Sequence, residues 1–348
     1  SHAYIAMECM RRGKHVYVQK PISHSVFEAR VLTESAHKYK VVTQMGNQGH
    51  SGEGIRQVTE WIAAGLIGKV REVHTWTNRP IWPQSLEMGR PTEVQQAPEG
   101  MDWNQWCGPA PFRPFHASYH PGKWRAWWDF GTGSLGDMGC HIIDPAFMAL
   151  DLRYPISVEG NVSTVFETFG KKTTGKNESY PRSSIVRFKF PARGEMPPVT
   201  LTWWDGGLMP QRPDELEDDM PFGDPNGGCL FIGDKGKLVC GCYGLNPRIL
   251  NADLRDAAKK LAKTIPRIPG NSSGHEKDWI RSCKGGTVAS SNFDYSGPLS
   301  EMVLMGNLAS RYPDRKLLWD GAKMEVTNDK EANAYVRREY RKGFELGT

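Results

Sequence analysis

No stretch of 18 or more apolar residues occurs in the 348-residue chain, so a membrane-inserting helix is not expected. No Cys-x-x-Cys pair occurs either. The seven cysteines are an odd number, and Cys240 and Cys242 lie too close together to anchor a disulfide, so they read as free, mostly buried thiols that leave the redox compartment open. Neither sign of charge dominates: 44 Lys and Arg stand against 39 Asp and Glu, interspersed along the chain, which argues against a nucleic-acid partner. The run from Arg311 to Lys316 reads as solvated surface. Repeats and low-complexity tracts are absent. An initiator Met is missing too, and Ser1-His2-Ala3-Tyr4 runs straight into helical spacing at Ile5, Cys9 and Met10. The expectation is an N-terminally truncated piece, in which no export signal can be sought.

What is present is a globular composition, 39% hydrophobic and 24% charged, on a length that allows two domains with cores of their own. Tryptophan is in excess: of twelve, Trp76, Trp82, Trp103, Trp106, Trp124, Trp127 and Trp128 crowd one stretch. Core packing accounts for most such residues. An aromatic cleft stacking on the C–H faces of a sugar ring is the sharper alternative.

Residues 1–47 alternate between helical and extended patterns: helix to about Arg12, strand 15–18, helix 26–39 started by Ser23, strand 40–44. Such alternation implies a parallel sheet covered by helices, here the last part of a Rossmann-type dinucleotide-binding domain. The G-x-G-x-x-G turn and the ribose-binding acid of that fold do not occur in these residues. Gly131–Gly136 has the glycine spacing without a surrounding βαβ unit. A helix near 55–65 and a strand over 70–76 follow, then Pro- and Trp-rich loops over 80–125. Strands over 158–166, 184–190, 199–204, 229–232 and 237–240 lack intervening helices and predict a largely antiparallel open sheet. Helices over 298–311 and 331–343 close the chain. The fold class is α/β plus α+β.

The stretch Gly131-Thr-Gly-Ser-Leu-Gly-Asp137-Met-Gly-Cys-His141-Ile-Ile-Asp144 carries the chemistry. Its small residues let backbone approach a ligand. On a helix starting near Leu135, Asp137 and His141 share one face with Cβ atoms about 5–6 Å apart. A carboxylate that fixes the tautomer of a histidine makes an oriented general base; a braced helix is the structural alternative. A zinc site from Asp137, Cys140 and His141 suits the geometry poorly because Cys140 points off that face, so no metal is expected.

His2-x6-Cys9-x3-Gly13-Lys14-His15-Val16-Tyr17-Val18-Gln19-Lys20-Pro21 resembles the segment ending in Glu-Lys-Pro of the Gfo/Idh/MocA oxidoreductases, the glucose–fructose oxidoreductase and inositol dehydrogenase family. Trp124-Arg125 followed by Gly131-x-Gly-x-Leu-Gly-Asp137-x3-His141-x2-Asp144 is similar to a second block of that family. Thr43–His50, Trp76-Thr-Asn-Arg-Pro-Ile-Trp82-Pro, Gly136–Asp144 and Asn328–Tyr340 resemble its Bacteroidetes-type branch. The resemblance implies that 1–47 is the end of a Rossmann NAD(P)-binding domain and 48–348 a substrate and oligomerisation domain. It implies Lys20 at the nicotinamide and the reacting hydroxyl, with Asp137 and His141 on the substrate side as the other catalytic residues. Gln19, Lys20, Pro21, Asn47, Gln48, Trp124 and Arg125 are then the candidates for the cofactor, NAD or NADP. Asn78, Arg79, Trp82, Tyr119, His120 and His141 are the candidates for the substrate. His116, Asp205 and His275 are further site candidates, each weighed against a structural role.

Pro21 would fix the turn that aims Lys20, a cis bond being one way to do so. Gln19 stands where the family usually has Glu, which removes a negative neighbour from Lys20. The implied function is hydride transfer between NAD(P) and a sugar, glycoside or polyol hydroxyl or keto group. A redox-assisted glycosidase or lyase and a non-catalytic sugar-binding protein are the alternatives. The resemblance also implies a homodimer or homotetramer, a small-molecule carbohydrate as substrate, and periplasmic export in many relatives.

Overall fold

The computed structural model describes residues 1–84, 89–164 and 178–347. Its first long helix shows how local sequence sets an element. Ser25 caps helix α2 (Val26–Tyr39): its hydroxyl accepts from the Glu28 amide, and the Glu28 carboxylate accepts from the Ser25 amide at 3.1 Å. Ser23, the expected start, instead donates its hydroxyl to the Ser25 carbonyl, because only Ser25 has a Glu three residues on. Before α2 come α1 (His2–Arg11) and β1 (Val16–Gln19); after it, Lys40 turns the chain at φ 52° towards β2 (Thr43–Gly46). β1 and β2 pair in parallel, Val16 opposite Thr43, with α2 as the crossover that parallel pairing requires.

Helix α3 (Glu53–Ala63) leads to β3 (Val70–Thr77), a central strand of a nine-stranded sheet. The other members are β4 (Ser157–Val162), β5 (Ser184–Phe190), β6 (Val199–Trp204), β7 (Gly227–Gly233), β8 (Lys237–Gly241), β9 (Arg248–Ile249), β10 (Lys316–Asp320) and β11 (Glu325–Val326). Their order is β11-β10-β4-β5-β6-β3-β7-β8-β9, antiparallel except where β3 lies parallel to β6. The expected antiparallel sheet is thus present, and residues 165–166 of the strand read over 158–166 lie outside the described residues. Between β3 and β4 run long loops with α4 (Trp103–Cys107), then α5 (Gly133–Ile142) and α6 (Asp144–Ala149). The later helices are α7 (Arg255–Lys260), α8 (His275–Cys283), α9 (Phe293–Arg311) and α10 (Lys330–Asn333). α9 is buried nearly all round, packed on α2, on α5 and on β4, so one hydrophobic core joins the two sheets.

Two sequence expectations change here. The closing helix read over 331–343 is only the single turn of α10, because side-chain bonds draw the segment after it along the surface. The Tyr340 hydroxyl reaches Glu28 at 3.1 Å and Arg341 donates to Asn104 at 2.8 Å. The tryptophans do not all line one cleft: Trp82 and Trp124 stay half-buried on the loops, while others pack inward. Trp103 and Trp127 are buried with Phe115 and Tyr119 in a small core of their own beneath the loops, where Trp103 stacks on Trp106 at 4.5 Å.

Candidate active site

Lys20 follows directly on β1 and precedes a cis bond to Pro21, so it stands at the carboxyl end of a parallel strand, where open α/β sheets receive ligands. Its ammonium donates to the backbone carbonyl of Asp137 and lies 3.3 Å from the Asp137 carboxylate. Two more cations converge on that carboxylate, Arg125 Nε at 3.2 Å and Arg79 Nε at 3.7 Å. Lys20 therefore has a carboxylate partner even with Gln at 19. The glycine at 131 makes the approach possible: a Cβ there would come 2.5 Å from the Arg125 backbone.

His141 lies one turn further along α5 and is 6% exposed. The expectation that Asp137 sets its tautomer is not what the structure shows. Among the described residues His141 makes no hydrogen bond, and its Nδ1 is buried without a partner. The reason is geometric and electrostatic. Helical side chains lean towards the N-terminus, which carries Asp137 back to the first turn of α5, and full cations there attract a carboxylate more strongly than a neutral imidazole does. Burial pushes the His141 pKa well below its ordinary value, and the charges of Lys20, His275 and Arg79 push the same way. His141 is therefore neutral at pH 7, with its ring edge-on to Tyr243 at 4.7 Å.

The remaining candidates divide. Arg125 places its guanidinium 4.5 Å over the Trp124 ring and 5.7 Å from that of Trp82, so these three side chains form one wall beside Asp137. Asn78 accepts from Arg79 and donates to the Pro225 carbonyl at 2.6 Å, which orients Arg79. Gln19 is exposed at the end of β1, against Gly46. Gln48 donates to the Tyr17 hydroxyl and to Glu276, each at 3.4 Å. Asn47 is fully buried, donating to Asp144 at 3.1 Å and accepting from the Ser291 hydroxyl at 2.6 Å, so its side chain faces the core rather than a ligand. Tyr119 is likewise buried, in the aromatic core, where Arg113 lies over its ring at 5.4 Å. His120 stands edge-on to Trp106 at 6.0 Å, and His116 bonds Ser118 at 2.8 Å. Asp205 is buried with its pKa pushed up to about 7 by desolvation, and it accepts from the Ser184 hydroxyl and from the Trp203 indole, each at 2.9 Å. His275 is fully buried between Ser51 Oγ at 2.7 Å and the Met45 carbonyl at 2.8 Å.

Sequence reasoning missed the brace behind the site. Asp144 is buried and accepts from His50 at 3.1 Å, from Asn47 and from the Tyr295 hydroxyl, which ties α6 to the turn at 48–51 and to α9. Its place three residues after His141 was the one available signal. A cavity of about 450 Å³ is lined by Lys20 together with Pro21, His24, Trp124, Gly131 and Thr132. Among the described residues no group of three His, Cys, Asp or Glu side chains is placed to hold a metal ion.

Residues 52–167 match the Gfo/Idh/MocA oxidoreductase family model for the C-terminal α/β domain. No curated protein is similar enough in sequence to match. Among solved structures, the WlbA dehydrogenase from Bordetella pertussis in complex with NADH and UDP-GlcNAcA has a TM-score of 0.56 at 12% identity, over 92% of this chain and 76% of that one. An NAD-binding oxidoreductase from Klebsiella pneumoniae has 0.55 at 15% identity, over 94% and 78%. An inositol dehydrogenase homolog from Azotobacter vinelandii, complexed with NADH and myo-inositol, has 0.51 at 14% identity, over 91% and 75%. At these identities the likeness is one of fold.

Proposed function

We propose that this chain, whose residues 52–167 match the Gfo/Idh/MocA C-terminal domain model, is an NAD(P)-dependent oxidoreductase acting on a sugar, glycoside or polyol CH–OH group. The observation that carries the reading is the meeting of Lys20, from the end of a parallel strand, with Asp137 and a neutral, buried His141 on one helix. Residues 1–47 are read as the last part of the dinucleotide-binding domain and 48–348 as the substrate domain. The complexes of relatives with NADH and UDP-GlcNAcA, or with NADH and myo-inositol, support a polyhydroxylated substrate.

The cavity beside Lys20 fits the nicotinamide end of a cofactor, with Trp124 as its aromatic wall and Gly131 and Thr132 on its lining. The glycine-rich turn for a diphosphate does not occur in residues 1–47, so the fit is to that end alone. When bound, the nicotinamide supplies the hydride acceptor or donor. The chain's own residues do the rest. Lys20 donates a hydrogen bond to the oxygen of the reacting carbinol. His141, kept neutral, takes the hydroxyl proton in oxidation and returns it in reduction. Asp137 fixes Lys20 and Arg125 and thereby places them relative to His141.

The test is turnover with NAD+ or NADP+ on a panel of polyols, aldoses, methyl glycosides and uronates. Lys20→Ala and His141→Ala should each lose at least about 100-fold in kcat with an unchanged circular-dichroism spectrum. Turnover like the wild type in either variant would refute the assignment.

A further inference from the structure

Three observations meet at Tyr243. Its backbone lies at φ 63° in the short turn after β8, in the left-handed region that bulky side chains adopt only at a cost. The neighbouring turn is shaped around it: a Cβ at Gly49 would lie 2.6 Å from the Tyr243 Cβ, so only glycine there leaves the ring its place. Strain of this kind persists where the surroundings over-determine it, and it gathers at ligand sites.

The second observation is the ring itself, which stands edge-on to His141 with the planes at 76°. The third concerns hydrogen bonds. The Tyr243 hydroxyl, on a half-buried ring, makes none among the described residues, whereas the Nδ1 of the histidine it touches is buried without one. The charges of Arg79 and Asp137 both act on this phenol, which places it in the field of the same site. Core packing would explain an aromatic ring here. It does not explain a half-buried phenol held at positive φ beside a buried histidine nitrogen that has no partner.

Resting on the oxidoreductase reading, we propose that Tyr243 is a substrate-binding residue whose hydroxyl bonds a carbohydrate hydroxyl next to the reacting carbinol while its ring holds the plane of His141. A substrate with adjacent hydroxyls satisfies both, since one goes to His141 and Lys20 and its neighbour goes to the phenol. A simple alcohol leaves Tyr243 unpaired and is discriminated against.

The experiment compares the wild type with Tyr243→Phe, Gly49→Ala and Lys20→Ala, with NAD+ or NADP+ and the panel of polyols, aldoses, methyl glycosides and uronates. Because the hydroxyl has no partner among the described residues, Tyr243→Phe should melt within about 1 °C of the wild type while KM rises about tenfold and kcat stays within about threefold. Gly49→Ala, which pushes the ring aside without altering it, should raise KM and also lower kcat through His141. An unchanged KM in Tyr243→Phe, with the wild type active and Lys20→Ala inactive, overturns this assignment and leaves the oxidoreductase reading standing. A lower melting temperature with unchanged kinetics would make the hydroxyl structural and overturn it as well. No turnover by the wild type across the panel overturns the oxidoreductase reading and this assignment with it.

Discussion

Which residue Asp137 serves can be decided by two double-mutant cycles read as stability. In one, Asp137→Asn is combined with Lys20→Met; in the other, with His141→Gln. The Lys20 ammonium and the Asp137 carboxylate are 3.3 Å apart, with side chains 17% and 15% exposed. At an effective dielectric of about 20 the gross attraction over that distance is about 5 kcal/mol. Desolvating two ions offsets most of it, and the Asp137 backbone carbonyl keeps part of its hold on Lys20 in the Asn variant. A coupling energy of about 1–2 kcal/mol is left for the Lys20 cycle. His141 forms no hydrogen bond with Asp137 and stands neutral, so its cycle should couple by less than about 0.5 kcal/mol. Urea unfolding of the wild type, the three single variants and the two double variants measures both. Coupling above about 1 kcal/mol to His141, or below about 0.5 kcal/mol to Lys20, would refute the electrostatic account of this site and restore Asp137 as the partner of the histidine.

Two further expectations concern pH and a remote ion pair. His141 and His275 are both held below their ordinary pKa by burial, so the folded chain keeps them neutral where the unfolded chain protonates. Their contribution is fully present above pH 6.5 and falls as the pH drops from there towards each folded-state pKa, by at most about 1.4 kcal/mol per pH unit for each, a decline that melting curves between pH 7 and 5 would show and a flat profile would exclude. Glu60 is 5% exposed, pairs with Arg267 at 2.8 Å, and accepts from the Thr264 and Ile265 amides at 2.7 and 2.8 Å, which holds its pKa down at about 2. Its contribution is present above pH 4.5 and lost as the pH falls through about 2. Glu60→Ala should cost about 2–3 kcal/mol by calorimetry at pH 7, and a loss under about 0.5 kcal/mol would show that the 264–267 segment does not depend on α3.

The parts of the fold that were legible in the sequence are those in which local pattern and tertiary demand agree. The helix from Val26 to Tyr39 and the strands from Ser184 to Phe190 and Val199 to Trp204 end where their periodicity ends. α8, whose sequence HEKDWIRSC is short and mostly polar, offers only Trp279, Ile280 and Cys283 as an apolar patch, and its place is fixed by the buried His275. Asp137 and His141 could be paired because their spacing is local, and Lys20 could be named through the resemblance of the segment ending in Gln19-Lys20-Pro21. What Asp137 touches could not, since Lys20, Arg79 and Arg125 reach it from three separate segments. Asn47 illustrates the opposite failure: a residue just past a strand end can turn outward to a ligand or inward to a carboxylate, and only the buried Asp144 decides which. Tyr243 carried no signal, because a left-handed tyrosine in a turn leaves no trace in spacing.

The position of β3 also governs how this chain can be made. His74 lies beside Thr202 on one edge and Leu230 on the other, partners 128 and 156 positions later in the sequence. At about 5–20 residues per second on the ribosome, β3 waits roughly 8–30 s for its second neighbour after it has been synthesised. Until β6 arrives, Val73, Thr75 and Trp76, all buried in the finished protein, have no neighbouring strand. The helices of residues 1–63 can settle early, but the large sheet closes late, so its future centre is an unpaired apolar strand for much of synthesis.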